Sequence, residues 1–232
     1  MVKHIGIVAC SAEGAALCYQ TICREGADIM GKHSHPEITM HTYPLSEYMR
    51  YIKIGDWDGV ADLMVSSARK VAKVGADFII CPDNTIHQAF ERVVKETSIP
   101  WLHIAEEVAA EAESQNYRTL GVLGTLYLME GPVYPSKLNA RSIKHQIPEI
   151  QDRKRINEII FNELVNGRFT VDSRTDLTDV IYRFKNQGCD AVILGCTELP
   201  MIINCENSSL PILDSTRLLA RAALKKATTL EG

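Results

Sequence analysis

The chain carries its own pattern twice. Ten residues, Gly75-Ala76-Asp77-Phe78-Ile79-Ile80-Cys81-Pro82-Asp83-Asn84, align without a gap on Gly188-Cys189-Asp190-Ala191-Val192-Ile193-Leu194-Gly195-Cys196-Thr197, an offset of 113 residues. Ile5-Gly6-Ile7-Val8 echoes in Leu120-Gly121-Val122-Leu123 at an offset of 115, and Ser98-Ile99-Pro100-Trp101-Leu102-His103 in Ser209-Leu210-Pro211-Ile212-Leu213-Asp214 at 111. Three echoes in one order at nearly one offset predict two copies of a single unit, far longer than the roughly 20–50-residue repeats of solenoids. Within each copy, short Val/Ile/Leu-rich runs alternate with amphipathic stretches, as βαβ units around a parallel sheet require.

The expected strands are Ile5–Val8, Phe78–Cys81, Trp101–Ile104, Leu120–Leu123, Ala191–Leu194 and Ile212–Leu213. The expected helices are Gly14–Arg24, Trp57–Val74, His87–Thr97, Ala105–Gln115, Asp152–Asn166, Asp176–Gln187 and Thr216–Thr228. In Asp152–Asn166 the residues Ile156, Ile159, Ile160, Phe161 and Leu164 share one face at helical spacing. The resulting expectation is an α/β protein of two pseudo-symmetric lobes, each a mostly parallel sheet flanked by helices. Residues 1–105 with 214–232 form the first lobe, residues 106–213 the second, and one active site lies between them. Ligands of open parallel sheets bind where the carboxyl ends of the strands converge. The offset of 113 puts Asp83 and Cys196 at equivalent strand ends, one per lobe.

Composition narrows the function. Twenty-nine acidic and 25 basic residues are well mixed, for a net charge of −4, so no polybasic stripe is available for phosphates and nucleic acid is not an expected partner. No apolar run reaches the ~18 residues of a membrane span, and the opening residues read as a first strand rather than a signal peptide. The expected location is the cytoplasm. Seven scattered cysteines, none in a C-x-x-C pair, disfavour a disulfide framework or a zinc site. His33-Ser34-His35 reads as a solvated loop rather than a metal site. Gly121-Val122-Leu123-Gly124 lacks the third glycine of a dinucleotide fingerprint. Neither NAD nor PLP is implied, and no cofactor or metal is expected.

Several segments together resemble the aspartate/glutamate racemases, cofactor-independent enzymes of two pseudo-symmetric lobes with, typically, one catalytic Cys in each. They are Leu194-Gly195-Cys196-Thr197-Glu198-Leu199, Pro82-Asp83-Asn84-Thr85-Ile86-His87, Gly121-Val122-Leu123-Gly124-Thr125, the Ile156-Asn157-Glu158-Ile159-Ile160-Phe161 helix and Gly55-Asp56-Trp57. The resemblance covers nearly the whole chain and implies an amino-acid racemase or epimerase, acting on acidic amino acids and assembling as a homodimer. It departs from the family at the first catalytic position, where Asp83 stands in place of the usual cysteine, and beside Ser11, where Cys10 stands in place of a large apolar residue. Cys81, two residues earlier, belongs to the apolar run and is read as structural.

Racemisation removes an α-hydrogen from one face and returns a proton to the other. Free Cys and Asp differ in pKa by roughly 4.6, or about 6 kcal/mol, so the favoured resting pattern is ionised Asp83 and Cys196 as thiol. Asp83 is then the base and Cys196 the acid. The resemblance implies substrate contacts from Ser11, Asn84, Thr85, Thr125 and Thr197, which orient the ligand and stabilise its enolate-like charge. Ser and Thr at such places also cap helices, and for Ser11 and Thr125 both readings stand. Glu198 either orients Cys196 or caps the helix after it, the cap being preferred. His87 either shuttles protons or packs a helix start, the plainer account. Lys154 or Arg155 either meets a distal substrate carboxylate or lies on a solvated face. Two other readings keep the fold: decarboxylation or cis–trans isomerisation of small carboxylic acids, and non-catalytic binding of a small acid.

Overall fold

The computed structural model describes residues 1–229. The chain divides into two compact units, residues 1–104 with the chain from Thr216 onward, and Ala105–Ser215. Unit one is built on a parallel sheet of β1 (Ile5–Ala9), β2 (Ile38–Thr42) and β3 (Phe78–Ile80) in the order β2-β1-β3. Its helices are α1 (Ala12–Met30), α2 (Leu45–Ile52), α3 (Trp57–Lys73) and α4 (Phe90–Glu96). Unit two orders its parallel sheet β5-β4-β6-β7, from β4 (Thr119–Leu123), β5 (Lys144–Gln146), β6 (Ala191–Leu194) and β7 (Ile212–Asp214). Helices α5 (Ile104–Ser114), α6 (Leu126–Met129), α7 (Val133–Asn139), α8 (Ile150–Asn162) and α9 (Val171–Asn186) accompany it, and α10 (Ser215–Thr228) returns the chain to unit one.

Strand alternation sorts the core of unit one into two faces. Ile5, Ile7 and Ala9 on β1 join Cys18 and Ile22 of α1 and Leu219, Ala223 and Leu224 of α10, while Val8 joins Ala68 and Val71 of α3. In unit two, Leu123, Val192 and Leu194 pack with Ile156, Ile159 and Ile160 of α8 and Leu177, Ile181 and Phe184 of α9. The central strand of each unit carries a glycine where a helix crosses it. A Cβ on Gly6 would stand 2.9 Å from Val71, and one on Gly121 would stand 2.3 Å from Phe184. Val71 and Phe184 are themselves equivalent at the offset of 113.

The same polar device opens both central strands. Gly75 (φ 101°) and Gly188 (φ 85°) turn the chain out of α3 and α9 in the left-handed region that glycine tolerates. Two residues later Asp77 accepts the His4 N–H at 2.6 Å, and Asp190 accepts those of Arg118 and Thr119 at 2.7 and 2.9 Å. Replacing Asp190 by Ala strips two amides of their acceptor and is expected to cost about 1 kcal/mol. The expected signature is a melting midpoint lower by roughly 2–4 °C; an unchanged midpoint would show that water replaces the carboxylate without loss.

Several elements were not foreseen. The edge strands β2 and β5 and the short helices α2, α6 and α7 are additions, while the run at Trp101 is only an isolated bridge to Ile79 rather than a strand. His33 sits in a turn with φ 65°, and among the described residues no group of three or more His, Cys, Asp or Glu is placed to hold a metal ion. No helix among them is long and apolar enough to cross a membrane.

Candidate functional site

Asp83 lies three residues beyond the end of β3, and Cys10 and Ser11, the two residues that follow the parallel neighbour β1, stand beside it. The carboxylate is buried and receives the Cys10 N–H at 2.8 Å on Oδ2 and the Ser11 N–H at 3.2 Å on Oδ1. Two amide donors match a carboxylate. Ser11 continues the construction, since its Oγ accepts the Gly14 N–H at 3.2 Å and so caps α1. Asn84 is buried and Thr85 half-buried in the 3-10 turn Thr85–Ala89 that follows.

His87 is a clamp on this loop. Its Nδ1–H donates to the Asp83 carbonyl at 3.0 Å and its Nε2 accepts the Ile104 N–H at 3.4 Å, while its ring stacks on Phe90 at 5.3 Å. Since a carbonyl only accepts and an amide only donates, these partners select the Nδ1–H tautomer. The packing account of His87 thus describes its contacts. Cys81 is fully buried, and burial, reinforced by the nearby Asp83 charge, pushes its thiol well above the usual range. That is the environment of an inert structural cysteine.

In the second unit Cys196 follows β6 by one glycine. Gly195 donates to the Leu123 carbonyl at 2.7 Å, and a Cβ there would stand 2.8 Å from that oxygen, so only glycine fits. The Cys196 thiol, half-buried, donates to Glu198 Oε2 at 2.9 Å, and Thr197 Oγ1 donates to the same oxygen at 2.8 Å. Glu198 is buried and makes no cap to the turn it precedes. The expectation of a cap is therefore corrected: the chain bends so that this carboxylate points back at Cys196, leaving no helix amide for it to receive.

Thr125 caps α6 by accepting the Leu128 N–H at 3.1 Å, and Asn157 of α8 fixes the same turn by accepting the Leu126 N–H at 2.9 Å. Asn157 had no role in the sequence reading, because the contact joins segments 31 residues apart. Lys154 is exposed, and Arg155 is held by Asp176 at 2.8 Å. Unit one thus gathers Ser11, Asp83, Asn84, Thr85 and His87, and unit two gathers Thr197 and Glu198 around Cys196. Lys154 stands outside its group.

A family model described as Asp/Glu/Hydantoin racemase matches residues 7–223. The broad specificity amino-acid racemase RacX of Bacillus subtilis is 27% identical over 169 residues, 73% of this chain and 73% of that protein. Among solved structures, an aspartate racemase homologue from Pyrococcus horikoshii is 26% identical, covers 99% of this chain and 100% of its own, and superposes with a TM-score of 0.84. The aspartate racemase of Picrophilus torridus, 21% identical over 97% of this chain and 94% of its own with a TM-score of 0.79, shares the fold.

Proposed function

This chain belongs to the Asp/Glu/Hydantoin racemase family, and from that premise we propose that it is a cofactor-independent amino-acid racemase whose proton-transfer pair is Asp83 and Cys196. The observation that carries the pair is equivalence: each follows the corresponding strand of its own unit, β3 or β6, and each is held there by hydrogen bonds of that unit. The substrates are acidic amino acids and the enzyme is a homodimer, as the resemblance implies, working in the cytoplasm, as the opening residues and the lack of a membrane-length apolar run suggest. Gel-filtration mass tests the homodimer.

Asp83 takes the α-hydrogen as a proton, leaving its electron pair as an enolate on the substrate. Cys196 supplies a proton to the opposite face and is left as thiolate. Before transfer, Glu198 holds the Sγ–H. Afterwards thiolate and carboxylate face each other as like charges, which favours prompt reprotonation of sulfur. Ser11, Asn84, Thr85, Thr125 and Thr197 lie in the loops after β1, β3, β4 and β6 and present the polar groups that receive the substrate's charged ends. Glu198→Gln replaces a charge-assisted acceptor by a neutral amide and is expected to slow racemisation about ten- to a hundredfold, as befits such a bond. A variant as fast as wild type would reduce Glu198 to packing.

The test of the function is exchange of the α-hydrogen of L- and D-aspartate and glutamate in deuterated water, followed by proton NMR. Exchange with both enantiomers is expected. Binding of these amino acids without exchange would overturn the racemase reading and favour a binding protein.

A further inference from the structure

His41 of the edge strand β2 is half-buried and engaged from α3 at both ring nitrogens: Nδ1 lies 2.9 Å from Ser67 Oγ, and Nε2 lies 3.0 Å from Lys70 Nζ. An ammonium only donates, so Nε2 is the acceptor, the ring proton sits on Nδ1, and that N–H donates to Ser67. The ring is therefore neutral. Lys70 also donates to the Tyr43 hydroxyl at 2.7 Å and stands over the Tyr43 ring, 4.3 Å from its centroid, while Ser66 Oγ lies 2.9 Å from the same hydroxyl. His41 meets the Tyr43 ring edge-on at 4.9 Å. His41 in β2 and Tyr43 just beyond it are thus fastened to Ser66, Ser67 and Lys70 of α3, with Lys70 as the shared donor.

Acid removes the acceptor. Once Nε2 takes a proton it presents an N–H to the Lys70 ammonium, donor against donor and charge against like charge, and that hydrogen bond is lost. The other groups facing His41 bring no compensating charge: Tyr43 is a neutral phenol, Ser66 and Ser67 are uncharged, and Val8, its register partner on β1, is apolar. The carboxylates that share a groove with Lys70, those of Asp62 and Glu96, are held by Arg92 at 2.5 and 2.7 Å. We propose that the His41–Lys70–Tyr43 cluster is an acid-released latch that fastens β2 to α3. Burial first, then the Lys70 charge, hold the His41 pKa below its ordinary range. An opened β2 takes the proton near the ordinary histidine value and the closed one only at lower pH, so the hold of the latch is complete above about pH 6.5 and is lost as the pH falls below it. The latch bears on the site because β2 flanks β1 to its end, Thr42 opposite Ala9, and the Cys10 and Ser11 amides that hold Asp83 follow directly. It stands whichever reaction the protein performs.

The test is amide hydrogen exchange read by mass spectrometry on the full-length protein at about pH 8 and about pH 5, each corrected for the intrinsic exchange rate. Opening of peptides that cover Ile38–Thr42 is expected to rise about fivefold on acidification, the worth of one hydrogen bond, while peptides that cover β6 stay level. His41→Gln keeps an oxygen for Lys70 and an NH₂ group for Ser67 but takes no proton, so its β2 is expected to open equally at both pH values. Lys70→Met removes the repelling charge, and NMR titration of the His41 ring is then expected to give a midpoint above that of wild type. A wild-type β2 indifferent to pH, a rise shared equally by β6, or a His41→Gln variant that opens on acidification as wild type does overturns the latch. So does a His41 midpoint unmoved by Lys70→Met, which decides the matter should the glutamine variant fail to fold.

Discussion

Asp83→Asn is expected to slow α-hydrogen exchange by about 10²–10⁴-fold, the usual worth of a positioned general base. The variant is also expected to be less stable by about 1–3 kcal/mol. Both effects have one cause. The Cys10 and Ser11 amides are arranged for two acceptor oxygens, and asparagine offers one oxygen and one NH₂ group. A donor then faces a donor in a buried loop. The chemical loss is separate, since an amide cannot take the α-proton. NMR exchange rates and thermal melts measured on one preparation separate the two. Exchange within a few-fold of wild type from a folded variant would remove Asp83 from the reaction, even though the racemase activity itself would stand.

Cys196→Ser is expected to lose racemisation to a similar extent, about 10²–10⁴-fold, with little change in stability. Serine can keep the Glu198 contact, because its hydroxyl donates to a carboxylate as the thiol does. It cannot keep the chemistry: an aliphatic hydroxyl is a far weaker acid than a thiol of pKa roughly 8.5 and does not deliver its proton to an enolate at a comparable rate. Optical rotation of an L or D substrate follows the loss directly. A serine variant that inverts its substrate at the wild-type rate would exclude Cys196 as the acid. Because enantiomers have equal free energy, kcat/KM is the same in both directions whatever the pair. The inequality of carboxylate and thiol is therefore expected in kcat and KM taken separately.

The repeated decapeptide made much of this legible. Sequence self-similarity and apolar periodicity are properties of residue order, so β1, β3, β4 and β6, the strands buried in their sheets, could be read directly. The edge strands β2 and β5 could not. Ile38-Thr39-Met40-His41-Thr42 and Lys144-His145-Gln146 pair on one side only and bury none of their residues fully, so they carry no apolar run to announce them. Helix α2 follows a proline without a side-chain cap and is only eight residues long, so although Leu45, Tyr48, Met49 and Ile52 stand at helical spacing the pattern was passed over.

By itself, the sequence determined the two-fold repetition, the parallel α/β build of each copy, and the correspondence of Asp83 with Cys196. Only the tertiary structure decided what holds each of them. The acceptor role of Asp83 joins residues 72 and 73 apart, and the His87 clamp joins residues 17 apart. Glu198, two residues from Cys196, was misassigned to a cap because backbone direction, not spacing, sets which neighbour a carboxylate meets. A hydrogen bond is directional and specific to its partner, whereas burial of an apolar run is neither. The apolar pattern survives in one dimension; the partners of buried polar groups exist only once the chain has folded.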